Sequence, residues 1–222
     1  LGDEMIPIPG LRPVLPEECY HRIEVATQVV EDISGSKMLS FRAPRGWAST
    51  AMVNALDDLG YTTDASYMMF FHEERLVPYH PSRSNWLEKG EMKLLEIPNF
   101  ADMTLESKDV GGRDRDQWPK YRSESAAVLM EHIENMMGLF GSKGLPPIFC
   151  FYLHPWEFHP MPEGLIHFGE GAVQPDPFII KNSGPYAVEQ LDVLIQLLKD
   201  KGSQFMTAAD FGENYSRLMP AS

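Results

Sequence analysis

The stretch FYLHPWEFHP, residues 151–160, gathers two histidines, a tryptophan and a glutamate at the end of an apolar run. His154 precedes Pro155, whose ring drives the preceding residue into extended geometry, so its imidazole is expected just beyond a strand end on a stiff backbone. A histidine there suits proton transfer, because the unperturbed pKa of this residue type lies near neutrality, and equally suits the capped end of a strand. A second turn, RAPRG at 42–46, also follows a strand candidate. Its Arg42 can orient a carboxylate or oxyanion through two parallel hydrogen bonds, or pair with a surface acid. Trp47 and Trp156 offer flat faces for packing or for stacking on the C–H face of a sugar. His159, Glu157 and His167 invite a metal reading, but they fall in a proline-rich loop rather than on a helix, and no HExxH pattern occurs. Nor does a GxSxG elbow, a glycine-rich phosphate loop or a CxxC pair.

These residues need elements to hold them. Pro16 to Ser34 reads as a helix, with Pro16 at its first position, Glu17 and Glu18 at the positive end, and Ile23, Ala26, Val30 and Ile33 on one face. Met38–Phe41 reads as a strand, and Ser49 caps a helix carrying Val53, Leu56 and Leu59. YTTDASYMMFF and MKLLEIP are further strand candidates, and residues 101–122 read as a long polar surface loop. A helix is expected from Ser125 to Phe140, then a buried strand IFCFYL, then a loop from His154 to Gly184. Pro185 opens a helix with Val188, Leu191, Ile195 and Leu198 on one face, SQFMT reads as a last strand, and Thr207 with Asp210 forms a capping box. His21 and His132 fall on helices as surface residues. Alternating helices and short strands predict a single α/β domain over 1–222 with a largely parallel sheet. In such a sheet, the loops bearing Arg42 and His154 would face one cleft at the carboxyl edge.

Composition narrows the partners. A net charge of −13 argues against nucleic acid and anionic membrane. No apolar run reaches the roughly 18 to 20 residues that span a bilayer, so a soluble protein is expected, with the cytoplasm slightly favoured. Cys19 and Cys150 are the only cysteines, and Cys150 reads as a small hydrophobe within an apolar run. A first residue of Leu rather than Met suggests a processed or truncated chain.

In order along the chain, SFRAPRGWAS, ALDDLGYTTDASY, LLEIP, FYLHPWEF and GPYAVEQLDVLIQLLKDKGSQFMT resemble the later part of a polysaccharide deacetylase of the NodB-homology class, carbohydrate esterase family 4. The resemblance runs from about Leu15 to Tyr215. It implies a distorted (β/α) barrel, lacking its first strands here, and metal-dependent hydrolysis of a non-peptide C–N bond, usually an N-acetyl group on an amino sugar. Matched position by position, it makes Arg42 the arginine that orients the catalytic base and His154 the general acid. Pro44, Trp47, Tyr152, Leu153, Trp156 and Glu157 would shape the substrate pocket, with Tyr152 standing where many members have leucine. The resemblance also implies a divalent metal, zinc first among candidates. Its ligands are not found in this chain: the T-F-D-D and H-x-x-x-H motifs are absent, and in the family they lie ahead of the helix that here begins near Pro16. The family's aspartate and aromatic pair is not obvious here, with Asp116 and Trp118 as candidate stand-ins. The expected partners are therefore a saccharide or small amide and the amino-terminal part of the same barrel, and a homo-oligomer is compatible. A ureide-type cyclic amide substrate and a non-catalytic saccharide-binding role are the alternatives.

Overall fold

The computed structural model describes residues 16–218. The opening segment ahead of Pro16, with its unusual first residue and the start of the resemblance at Leu15, lies outside them. In chain order the elements are α1 (Pro16–Ser34), β1 (Ser40–Phe41), α2 (Thr50–Asp58), β2 (Thr63–Asp64), α3 (Met69–His72), β3 (Leu95–Glu96), α4 (Lys120–Ser123), α5 (Ala126–Ser142), β4 (Ile166–Phe168), β5 (Gly171–Val173), α6 (Pro177–Ile180), α7 (Pro185–Asp200) and α8 (Ala208–Leu218). Within the expected single span, the chain gathers into two compact units, one running up to Asn99 and resuming at Met206, the other Phe100–Phe205.

The first unit is α/β. Its sheet is parallel in the order β1-β2-β3, and the register sets Phe41, Asp64 and Glu96 in one row. Among the described residues these three short strands do not close into a barrel. The Ser49 hydroxyl accepts the Met52 N–H at 3.2 Å and starts α2, whose Val53 and Leu56 are buried in the core with Tyr67, Trp86 and Leu94. On α1, Cys19 and Ile23 reach this core, whereas the expected face ends outside it: Ile33 is 83% exposed. The strand expected to run on through YMMFF stops at Asp64. The Ser66 and Tyr67 N–H groups are taken by the Glu96 carboxylate at 3.0 and 2.8 Å, and the chain then turns into α3. The Thr207–Asp210 cap forms as expected, the Thr207 hydroxyl accepting the Asp210 N–H at 3.1 Å. SQFMT pairs with no strand among the described residues, and the Ser203 N–H instead bonds Leu198 O at the end of α7.

The second unit is mainly helical, with α4, α5 and α7 packed on one another. On α5, Leu129, Ile133, Met136 and Phe140 recur at helical spacing and are fully buried. On α7 the buried residues are Ala187, Leu194 and Leu198, whereas Val188, expected inside, is exposed. IFCFYL is half-buried, and the Phe100 N–H bonds Cys150 O at 2.8 Å. Residues 101–122 form an exposed loop only in their middle, around Val110, while both ends are buried. Asp102 N bonds Arg115 O, Ala101 bridges Asp116, and Asp102, Asp116, Gln117, Tyr121 and Arg122 are buried. His132 likewise sits half-buried on α5, its Nδ1 2.7 Å from Asp102 Oδ2. Against the burial that would raise it, His132, Thr104 and Asn135 hold the Asp102 carboxyl at about 2. No helix is long and apolar enough to cross a membrane among the described residues.

Candidate functional site

The site builds outward from Glu157 in the second unit. Pro155 opens a single turn of 3₁₀ helix, Pro155–Phe158, and two residues further on Glu157 reaches back to accept the His154 N–H at 2.8 Å, as the glutamate of a capping box does. The same carboxylate oxygen, Oε1, takes the Trp118 indole N–H at 2.8 Å and lies 3.1 Å from His154 Nδ1. The other, Oε2, accepts the Arg122 Nε–H at 2.5 Å and the Tyr121 hydroxyl at 3.1 Å. Burial alone would raise the Glu157 carboxyl, yet Arg122, the His154 amide, Trp118 and the His154 ring together hold it below the usual glutamate range. Glu157 is therefore an ionised anchor.

The imidazole resting on that anchor remains accessible: the His154 side chain is 43% exposed, whereas that of Glu157 is 0%. Three rings surround it, with centroids 5.3 Å away for Trp118, 5.6 Å for Trp156 and 6.0 Å for Tyr152. The Trp118 and Tyr152 rings stack at 22°. The Tyr152 hydroxyl donates to Asp116, whose carboxyl is raised by its burial in spite of Tyr152 and the nearby Arg113. Gln117 fixes the Tyr152 backbone by donating from Nε2 to its carbonyl at 2.8 Å.

The structure thus brings Tyr152, His154, Trp156 and Glu157 together with Trp118 and Asp116, the stand-ins suggested by the resemblance. Leu153 is half-buried between Tyr152 and His154 in the chain. Glu157 needs correction: expected to contact substrate, it is wholly buried and bonded within the protein. Sequence reasoning missed Tyr121 and Arg122. Both lie in a segment that reads as solvated loop, and an arginine among polar residues carries no mark of burial. Exposed His159 and His167 belong to no metal-ligating group among the described residues.

Arg42, Pro44 and Trp47 lie in the first unit. Arg42 donates from Nε to Ala65 O at 3.0 Å, and its charge offsets only a little of the burial that raises the neighbouring Asp64. Pro44 is exposed and Trp47 half-buried, with the Arg45 guanidinium 5.2 Å over the Trp47 ring. Arg45 and Gly46 form the turn at positive φ, 60° and 68°. Behind it, the Ala43 N–H bonds the Ser66 hydroxyl, which donates to Asp64 Oδ1 at 2.7 Å. Asp64 and Glu96 are both fully buried. Asp64 Oδ2 and Glu96 Oε2 have no hydrogen-bond partner among the described residues, and the two carboxyls, paired across neighbouring strands, make each other costlier to ionise. Burial raises Asp64 to about 6, and burial with the Asp64 charge pushes Glu96 well above its ordinary value.

Among the described residues no three His, Cys, Asp or Glu side chains converge to hold a metal ion, so these residues do not fit the divalent metal that the resemblance implies. Compared with known proteins, the chain matches no family model and no curated protein.

Proposed function

We propose that this chain acts in hydrolysis of a non-peptide C–N bond, with N-deacetylation of an acetylated amino sugar the favoured reaction and a (β/α) barrel of the polysaccharide deacetylase type the favoured architecture. One observation carries the reading: an accessible imidazole, His154, backed through Nδ1 by a buried, ionised carboxylate. In its acid form such an imidazole donates the Nε2 proton to a departing amine and returns to neutrality with its remaining hydrogen on Nδ1, where Glu157 accepts it. Trp156 and Tyr152 border the imidazole, Arg42, Pro44 and Leu153 take the roles that the resemblance gives them, and Trp47 offers a further aromatic face. The base that the resemblance pairs with Arg42 belongs to the T-F-D-D motif, which this chain lacks.

A second reading is a saccharide-binding protein without catalysis. The three aromatic rings around His154 favour it, since they suit stacking of a ring-shaped ligand whether or not a bond is broken. Acetate release from N-acetylated amino-sugar oligomers, measured on this chain and on the complete product of its gene with Zn²⁺ or Co²⁺ added, separates the two. The hydrolase reading expects turnover that His154→Ala lowers by about 10²–10⁴. Saturable binding without turnover favours the second reading, and turnover unchanged in His154→Ala removes His154 from the mechanism.

A further inference from the structure

Behind the His154–Glu157 pair stands a cation that touches neither solvent nor His154. Arg122 and Glu157 are both 0% exposed, and a carboxylate stripped of water needs a counter-charge or it takes up a proton. Of the groups that hydrogen-bond Glu157, Tyr121, Trp118 and the His154 amide are neutral donors, and the imidazole is charged only in its acid form. Arg122 is the permanent charge. Its direction is fixed by three acceptors: Nε goes to Glu157, while the other two nitrogens donate to Lys181 O and Ile179 O at 2.6 Å each.

The load on Glu157 Oε1 shows what this charge does for the imidazole. That one oxygen serves the His154 amide, the Trp118 indole and His154 Nδ1, the last being the longest contact. An oxygen so shared retains its third donor best as part of a full anion. A free imidazole in water favours its hydrogen on Nε2, and which nitrogen holds it in a protein follows the partner of the other.

We infer that Arg122 is a positioning residue, whose guanidinium keeps Glu157 as the charged acceptor that holds the His154 hydrogen on Nδ1 and leaves Nε2 for chemistry. This deepens the hydrolase reading and draws its chemical meaning from it. The fork also ties the acid to the 179–182 segment, with Asn182 Nδ2 closing the tie at Arg122 O, 2.9 Å away.

The test reads the tautomer rather than turnover, so a failed assay for acetate and a failed inference remain distinct. Long-range ¹H–¹⁵N NMR on the ¹⁵N-histidine-labelled chain, at a pH where the imidazoles are neutral, assigns His154 by the signals lost in His154→Gln. The wild type is expected to show the Nδ1–H form predominating. Arg122→Gln is expected to raise the Nε2–H share several-fold, and Arg122→Lys, which keeps the charge but not the fork, to restore the Nδ1–H form. A predominant Nε2–H form in the wild type overturns the inference, as does an unchanged Nδ1–H form in folded Arg122→Gln. Should Arg122→Gln not fold, Glu157→Gln removes the charge from the other side of the pair: a larger Nε2–H share supports the inference and an unchanged one overturns it.

Discussion

His154 and Glu157 are joined twice, through the backbone N–H at 2.8 Å and through ring Nδ1 at 3.1 Å, both to the same oxygen of a buried carboxylate. One residue is half-exposed and the other sealed, so chemistry and stability part company between neighbours three positions apart. Glu157→Ala strands the Arg122 charge in the interior and is expected to cost about 3 to 5 kcal/mol of unfolding free energy. His154→Ala removes a ring in partial contact with solvent and is expected to cost about 1 kcal/mol or less. Urea unfolding of the two variants checks this, and comparable losses would contradict the division.

The buried carboxyls of Asp64 and Glu96 are expected to make the first unit sensitive to alkali. Both carboxyls are raised in the folded chain, so their contribution is fully present below their ordinary values and is lost as pH climbs through the folded ones. His72, which burial lowers from 6.5 to about 4, acts in the opposite sense but only below pH 6.5. Above that value, amide exchange in β2 and β3 is therefore expected to speed up, beyond its intrinsic pH dependence, as pH rises. Glu96→Gln, which removes one of the two titrating carboxyls, should flatten the response; an equally steep response in that variant would show that the pair is not its source.

At the low end of the scale the second unit is the vulnerable one. Asp102 is held at about 2 and Glu157 below its ordinary range, so the stability they contribute is present above ordinary carboxylate values and is lost as pH falls through the folded ones. Asp102→Asn is expected to lessen the acid-induced loss around α5, read by residue-resolved amide exchange between pH 5 and about pH 2.

Gly184 is the backbone pivot of the site loop. It sits at φ +94°, a Cβ there would meet Pro160 N at 2.9 Å, and its N–H bonds Glu157 O at 2.8 Å. Gly184→Ala is expected to destabilise by about 1 to 3 kcal/mol, since backbone rather than a pliable side chain blocks the methyl. Thermal unfolding decides it, and a variant as stable as the parent would show that the loop can shift.

The parts legible in the sequence are those with local signatures. Ser49 and Ser125 announce helices because a cap acts within four residues, and the parallel strands at Phe41, Asp64 and Leu95 lie within the apolar runs that mark them. His154 stands out because a histidine before proline restricts its own backbone. Long-range satisfaction stays hidden. Nothing near Tyr67 tells that its N–H will go to Glu96, nor near Arg122 that Glu157, Ile179 and Lys181 await it. The 101–122 segment misleads for the same reason, since polar residues read as solvated until their interior partners are known.

Glu157 has no acceptor capacity to lend. Its two oxygens already serve five donors, all from this protein, so a sugar hydroxyl arriving beside His154 cannot be recognised by that acid. On the proposed reading, discrimination among ligands falls instead to the Tyr152 and Trp156 rings, and attempts to redirect the site toward another guest should begin there and leave the anchor untouched.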